Sequence, residues 1–199
     1  EGLEKYQNGD GGFGNGLEPD FRLPDSSPLA TSIGLRYLKD VDTVPVSQNM
    51  IGSAVNYLEY SYDEEHERWF AVPEEVNDHP HAWWWHHDGE MTIIDKSWGN
   101  PNAEIIAYLY RYRNYTDNIG VDSLIDRSIQ YIREKEEFSS ENEMYCFIKL
   151  YNEVPKDKAN VLKKHIRRGV RQLVVYETEK WEEYVPRPLD FLADDGESC

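Results

Sequence analysis

Apolar and polar positions alternate along most of the chain with the period of a helix. Leu29, Ile33, Tyr37, Leu38 and Val41 recur at helical spacing after Ser26-Ser27-Pro28, which offers N-cap oxygens and then a proline for the first turn. This predicts a helix over 27–41. Val44-Pro45-Val46-Ser47 restarts the chain, and Met50, Ile51, Ala54, Val55 and Leu58 share one face of a second helix over about 47–60. The same punctuation returns at Asn100-Pro101-Asn102-Ala103-Glu104, which resembles a capped start, and at Ser139-Ser140 ahead of Met144, Phe147, Ile148 and Tyr151. Partner helices are expected near 122–137 and 156–176. The economical reading is an all-α chain of antiparallel hairpins, a degenerate repeat of roughly 35–40 residues interrupted by a long insertion at 61–99.

Two helix exits look alike. Tyr57-Leu58 leads to Trp69-Phe70-Ala71-Val72-Pro73, and Gln172-Leu173 leads to Trp181-Glu182-Glu183-Tyr184-Val185-Pro186. Alternating aromatic and polar residues predict short β-hairpins there, with Trp69 and Trp181 covering the ends of the helix pairs.

The chain has 199 residues, 39% of them hydrophobic and 13% aromatic, and carries a net charge of −17. Such aromatic content repays chain entropy in a folded core, which disordered acidic tails do not do. Residues 1–99 hold 19 acids and 6 bases, and residues 100–199 hold 19 and 15, so the negative field is concentrated at the front. Nucleic acid is therefore not expected as a partner. Lys156, Lys158, Lys163, Lys164, Arg167, Arg168 and Arg171 read as a solvated helix with cations all round. No apolar run approaches the roughly 18 residues of a spanning helix, and no secretory leader opens the chain. Cys146 and Cys199 fit neither a disulfide framework nor a metal knuckle, which points to a cytoplasmic setting. Gly2-Leu3-Glu4-Lys5-Tyr6 reads as the last turn of a helix, so an N-terminal part is expected ahead of it.

Tyr6-Gln7-Asn8-Gly9-Asp10-Gly11-Gly12-Phe13-Gly14 places four glycines directly after that turn, where positive φ is needed to reverse the chain. Gln7, Gly11 and Phe13 have the spacing Gln-x-x-x-Gly-x-aromatic, and the segment runs on to Ala30-Thr31-Ser32-Ile33. This arrangement resembles the α/α-toroid superfamily of terpenoid cyclases and protein prenyltransferase β subunits. The resemblance is strong over residues 5–38 and looser over 45–73 and 139–186. It implies a toroid, here incomplete or open, in which such turns join consecutive helix pairs, the glutamine ties helix ends and the aromatic ring packs beside it. Leu17-Glu18-Pro19-Asp20 and Pro80-His81-Ala82-Trp83-Trp84 are also similar to segments of bacterial proteins of this fold, and no reaction comes with that likeness.

The chain departs from the family at its chemistry. Leu192-Ala193-Asp194-Asp195 has leucine where the Asp-x-Asp-Asp acid of a triterpene cyclase begins, and Met144-Tyr145-Cys146 has methionine where a prenyltransferase has its zinc-binding aspartate. No Asp-Asp-x-x-Asp cluster is present, nor a Gly-x-Ser-x-Gly elbow, and the glycine turn lacks the Gly-Lys-Ser/Thr ending of a phosphate loop. No cofactor or metal is expected.

What remains are carboxylates and aromatics. Glu18 and Asp20, on the loop entering the first inner helix, are the candidate acids, since paired carboxylates serve as general acid and base when their environments differ. Phe13 and Asp25 flank them as candidate ligand contacts, with a capping role as the alternative for Asp25. Asn77 to Asp88 holds four of the six histidines and half the tryptophans. His81, Trp83, Trp84, Trp85 and His86 are candidate ligand-binding residues, because indole faces enclose apolar chains, stack on sugars and stabilise cations. The bland alternative is a loop that plugs one mouth of the array. His79, His81, His86, His87 and Asp88 carry metal-ligating atoms at a spacing that matches no established motif. The leading expectation is an apolar or isoprenoid-like small molecule held in a central cavity. The rivals are a carbohydrate-active toroid and a non-catalytic scaffold that binds a protein.

Overall fold

The computed structural model describes residues 2–89, 91–181 and 185–191. Six helices carry it: α1 (Pro28–Leu38), α2 (Pro45–Tyr60), α3 (Gly99–Arg111), α4 (Val121–Glu134), α5 (Glu141–Glu153) and α6 (Lys156–Leu173). Helix α1 starts where Ser27 Oγ accepts the Ala30 N–H at 3.1 Å, with Pro28 in the first turn. A 3-10 turn over Lys39–Val41 then continues it to the expected end. Helix α5 begins in the same way, with Ser140 Oγ accepting the Glu143 N–H at 3.2 Å. Helices α4 and α6 each stop three residues before the expected ends at 137 and 176.

Helix α3 is the centre. Every residue from Gly99 to Leu109 is buried, as befits a helix packed by α1, α4 and α5 together. Asn100 has extended dihedrals (φ −110°, ψ 115°), so the regular helix begins at Pro101. Helices α1, α3 and α5 pack in succession, α2, α4 and α6 each pack on the helix before them, and α4 also touches α6. The core runs through all six, from Leu35, Ile51 and Leu58 through Ile105, Ile106 and Leu109 to Phe147, Leu162 and Ile166.

Among the described residues the helix exits show no strands longer than an isolated bridge. The exit of α2 holds an isolated antiparallel bridge between Asp63 and Arg68, and the described part of the α6 exit holds a 3-10 turn over Thr178–Lys180. Trp69 explains the first departure. Its indole is fully buried and donates to Leu58 O at 2.7 Å, satisfying a terminal carbonyl of α2. Its backbone is clasped by the Asn102 side chain, which accepts the Trp69 N–H at 2.8 Å and donates to Trp69 O at 3.1 Å. A side-chain amide thus stands where a second strand would pair. At the other exit Trp181 is partly exposed and its indole donates to Val175 O at 2.9 Å. The 61–99 insertion is held by short 3-10 turns at Glu74–Asp78, Trp83–Trp85 and Ile94–Lys96.

Candidate functional site

The glycine turn is tied to both α1 and α2. Gln7 Nε2 donates to Gly11 O at 2.8 Å and to Met50 O at 2.9 Å, tying the turn to α2. Gly11 has φ +90°, and a Cβ there would lie 2.3 Å from Ser53 O, so only glycine lets the turn meet the α2 backbone. Phe13 is fully buried, its ring lies over Gly34 of α1, and its N–H donates to Thr31 Oγ1 at 2.9 Å. That corrects its expected role: the ring fills the core and has no face left for a ligand. Asp25 is exposed, and the carboxylate that braces this helix entrance is Asp10, which accepts from Ser26 Oγ at 2.7 Å and from the Gly12 N–H at 2.9 Å.

The loop after this turn meets the Trp/His segment directly. Arg22 N–H donates to Pro80 O and Ala82 N–H donates to Asp20 O, both at 2.8 Å, around an antiparallel bridge between Phe21 and His81. Two segments about 60 residues apart in sequence, each singled out for its chemistry, therefore share one edge. The three tryptophans divide by depth. Trp85 is 6% exposed and packs edge-on against the buried Phe21 ring at 5.6 Å, so it belongs to the core and not to a ligand wall. Trp84 is half-buried, and Trp83 is 70% exposed with its ring edge-on to Trp84 at 5.7 Å.

His81 and His86 stack beside them, with ring centroids 5.4 Å apart. His81 Nδ1 donates to His79 O at 2.6 Å, because a carbonyl can only accept. In a neutral pair this leaves His81 Nε2 to accept the proton of His86 Nδ1 at 3.2 Å. His87 turns the other way, buried, with its Nε2 donating to Val72 O at 3.0 Å. Among the described residues no three His, Cys, Asp or Glu side chains converge where they could hold a metal ion.

Glu18 is half-buried and Asp20 exposed. Burial pushes the Glu18 carboxyl above its ordinary value. The Asp20 N–H, which Glu18 accepts at 3.3 Å, and the charge of Arg36 oppose that shift, while the Asp20 carboxylate adds to it. Arg36 belongs to α1, so the candidate acid lies within electrostatic reach of that helix.

Helices α1, α3 and α5 share a charged cluster that no sequence motif announces. Glu104 of α3 is 2% exposed, and Arg36 forks onto it, with Nε to Oε1 and Nη2 to Oε2 both at 3.0 Å. Lys149 Nζ of α5 reaches Oε2 at 2.8 Å, and the Tyr108 hydroxyl donates to Oε1 at 3.3 Å. The Cys146 thiol lies 3.7 Å from Asn100 Oδ1 and 3.9 Å from Glu104 Oε2, and burial together with the Glu104 charge drives its pKa far up. A thiol so held is no nucleophile. In sequence Asn102 and Glu104 read as helix-start residues. A charged residue inside an otherwise apolar period was the available signal, since a buried carboxylate requires partners.

Two further buried carboxylates serve structure. Asp95, fully buried, accepts from Ala71 N–H at 2.8 Å and Thr92 Oγ1 at 2.6 Å. Glu143, also fully buried, accepts from Gly99 N–H at 3.0 Å and the Tyr131 hydroxyl at 2.7 Å and pairs with Lys135 at 3.1 Å.

The cations of α6 are not spread evenly round the helix. Lys163, Lys164, Arg167, Arg168 and Arg171 line one groove together with Asn160 and Gln172, and of the seven counted in the sequence only Lys156 and Lys158 fall outside it. No helix among the described residues is long and apolar enough to cross a membrane. Leu192-Ala193-Asp194-Asp195 and Cys199 lie outside the described residues. Compared with known proteins, the chain matches no family model, no curated protein and no solved structure.

Proposed function

We propose that the chain is an open arc of three α/α-toroid hairpins, with α1, α3 and α5 inside, and that the rim of the arc binds a saccharide-like ligand. The succession of helix contacts and the tie of Gln7 to α2 support the arc. The observation that carries the ligand is the pairing of 20–22 with 80–82, which sets the exposed Trp83 and half-buried Trp84 beside the stacked histidines and the Glu18–Asp20 loop. An indole open on one side, edged by imidazoles and carboxylates, suits a ring that has one apolar face and a hydroxylated rim. An isoprenoid chain gains about 0.8 kcal/mol for each buried CH₂ and so needs enclosing apolar walls. The inner helices instead present Arg36, Glu104 and Lys149. Glu18, with its raised pKa, is suited to donate a proton to a leaving oxygen, and Asp20 supplies the second carboxylate.

Thermal unfolding with neutral oligosaccharides, prenyl diphosphates and polycyclic terpenes tests this. An oligosaccharide at 100 times its Kd is expected to add about 2.7 kcal/mol. Trp83→Ala should abolish the shift while leaving the unliganded transition in place, and Glu18→Gln should keep the shift and abolish turnover. A shift with isoprenoids alone returns the protein to the cavity-binding reading. No shift with any of the three classes favours the protein-binding scaffold.

A further inference from the structure

The basic groove on α6 lies apart from the rim and calls for its own explanation. Cations at 163/164, 167/168 and 171 recur every three to four residues, which places them on one helix face about 18 Å long between Asn160 and Gln172. The opposite face buries Leu162, Ile166 and Val170, which fixes the groove outward. Its wall is anchored. Arg168 Nη2 donates to Ile132 O at 2.9 Å at the end of α4, and Gln172 donates to Glu136 O at 3.0 Å and accepts the Phe138 N–H at 2.9 Å. Lys164, Arg167 and Arg171, all exposed, make no ion pair among the described residues. The local field is positive enough to act on a neighbour: burial first, then Arg168, Lys164 and Arg133, hold the His165 imidazole below its ordinary value.

This concentration of cations sits on a chain of net charge −17. Over the roughly 8 Å Debye length at physiological salt, an anion in the groove feels these cations together with the nearest acids, among them Glu136, whose carbonyl accepts from Gln172 at the groove wall. The groove ends at Asn160 and Gln172, a span that suits a compact polyanion better than a long one. The groove holds about 590 Å³, within the roughly 300–1,000 Å³ of small-molecule sites. Three of the five cations are arginines, whose planar forks match phosphate oxygens.

We propose that the α6 groove is a binding site for a compact, multiply phosphorylated small molecule, held by Lys164, Arg167 and Arg171 between the anchored Arg168 and Gln172. Sodium tripolyphosphate is the probe, titrated calorimetrically into the full chain in 150 mM salt, with sulfate at matched ionic strength as the control. Saturable binding at one site is expected, at least tenfold tighter than sulfate. Arg167→Gln with Arg171→Gln should weaken it tenfold or more, and Arg167→Lys with Arg171→Lys, which keeps the charge and removes the forks, should weaken it less. Circular dichroism establishes that both variants are folded, and Lys164→Gln alone gives a milder second reading of the same effect. Binding no tighter than sulfate, binding unchanged in the glutamine variant, or tighter binding of a single-stranded oligonucleotide or a polyglutamate peptide than of tripolyphosphate would overturn the proposal.

Discussion

Replacing Gly34 by alanine sets two effects of opposite sign against each other. In a helix interior alanine is favoured over glycine by about 1 kcal/mol, so propensity alone makes Gly34→Ala stabilising. Packing opposes it. A Cβ on Gly34 would stand 2.5 Å from Phe13 Cδ2 and 2.7 Å from Cε2 and Cγ, where carbon atoms ordinarily rest at about 3.5–4.0 Å. The ring cannot easily retreat, because Phe13 is fully buried, its N–H is bonded to Thr31 Oγ1 at 2.9 Å, and its carbonyl accepts the Ser27 N–H at 3.0 Å. Overpacking a core costs about 1–3 kcal/mol, and a ring held at both ends of its backbone belongs at the upper end of that range. The net expectation is a loss of about 2 kcal/mol, or roughly 4–8 °C in Tm for a chain of this size. Thermal unfolding followed by circular dichroism reads it directly. Adding Phe13→Leu to Gly34→Ala makes room for the methyl group, so the double variant should lose less than the sum of the two single variants. A Tm equal to or above that of the parent would refute the packing argument and with it the account of why the glycine turn is locked onto α1.

Two other perturbations probe the charged groups. Glu104→Gln keeps the shape and removes the charge that holds Arg36 and Lys149. Breaking a buried pair costs about 3–5 kcal/mol, and because these cations can withdraw into water the expected loss is about 2–3 kcal/mol; a urea melt that moves by less than about 1 kcal/mol would show the cluster to be dispensable. Glu18 has its folded pKa raised, so the folded state binds the proton more tightly than the unfolded chain does. Its contribution therefore lowers stability as pH rises from the unfolded carboxylate value through the raised folded one. In a pH series of Tm values, Glu18→Gln should remove that decline and gain on the parent above the window, and parallel curves would disprove the burial of this carboxylate.

The local elements were legible because they depend on neighbours in sequence. Ser27-Pro28 and Ser140 cap their helices as their side chains dictate, and the glycines after Gln7 reverse the chain; of the apolar period in α1, Leu29, Ile33 and Leu38 are buried while Tyr37 and Val41 are exposed, and α1 is buried all round from Pro28 to Leu35. Trp69 as a helix-end cover was readable for the same reason. What failed depends on contacts that no local pattern encodes. Phe13 and Trp85 read as ligand contacts in sequence because an aromatic side chain looks the same there whether it fills a core or lines a surface, and only the packing of Gly34 and Phe21 against them distinguishes the two. Asn102 replaces an expected strand partner from 33 residues away, and Glu104 finds Arg36 and Lys149 across separations of 68 and 45. The sequence by itself determined where helices begin, the buried stripe of α2 and that the chain is strongly acidic, whereas the all-round burial of α1 and α3 came from the helices packed on them. Tertiary structure decided which tryptophan meets water, which carboxylates meet cations and that five cations of α6 share one groove, because burial and charge pairing are properties of surfaces brought together from distant parts of the chain.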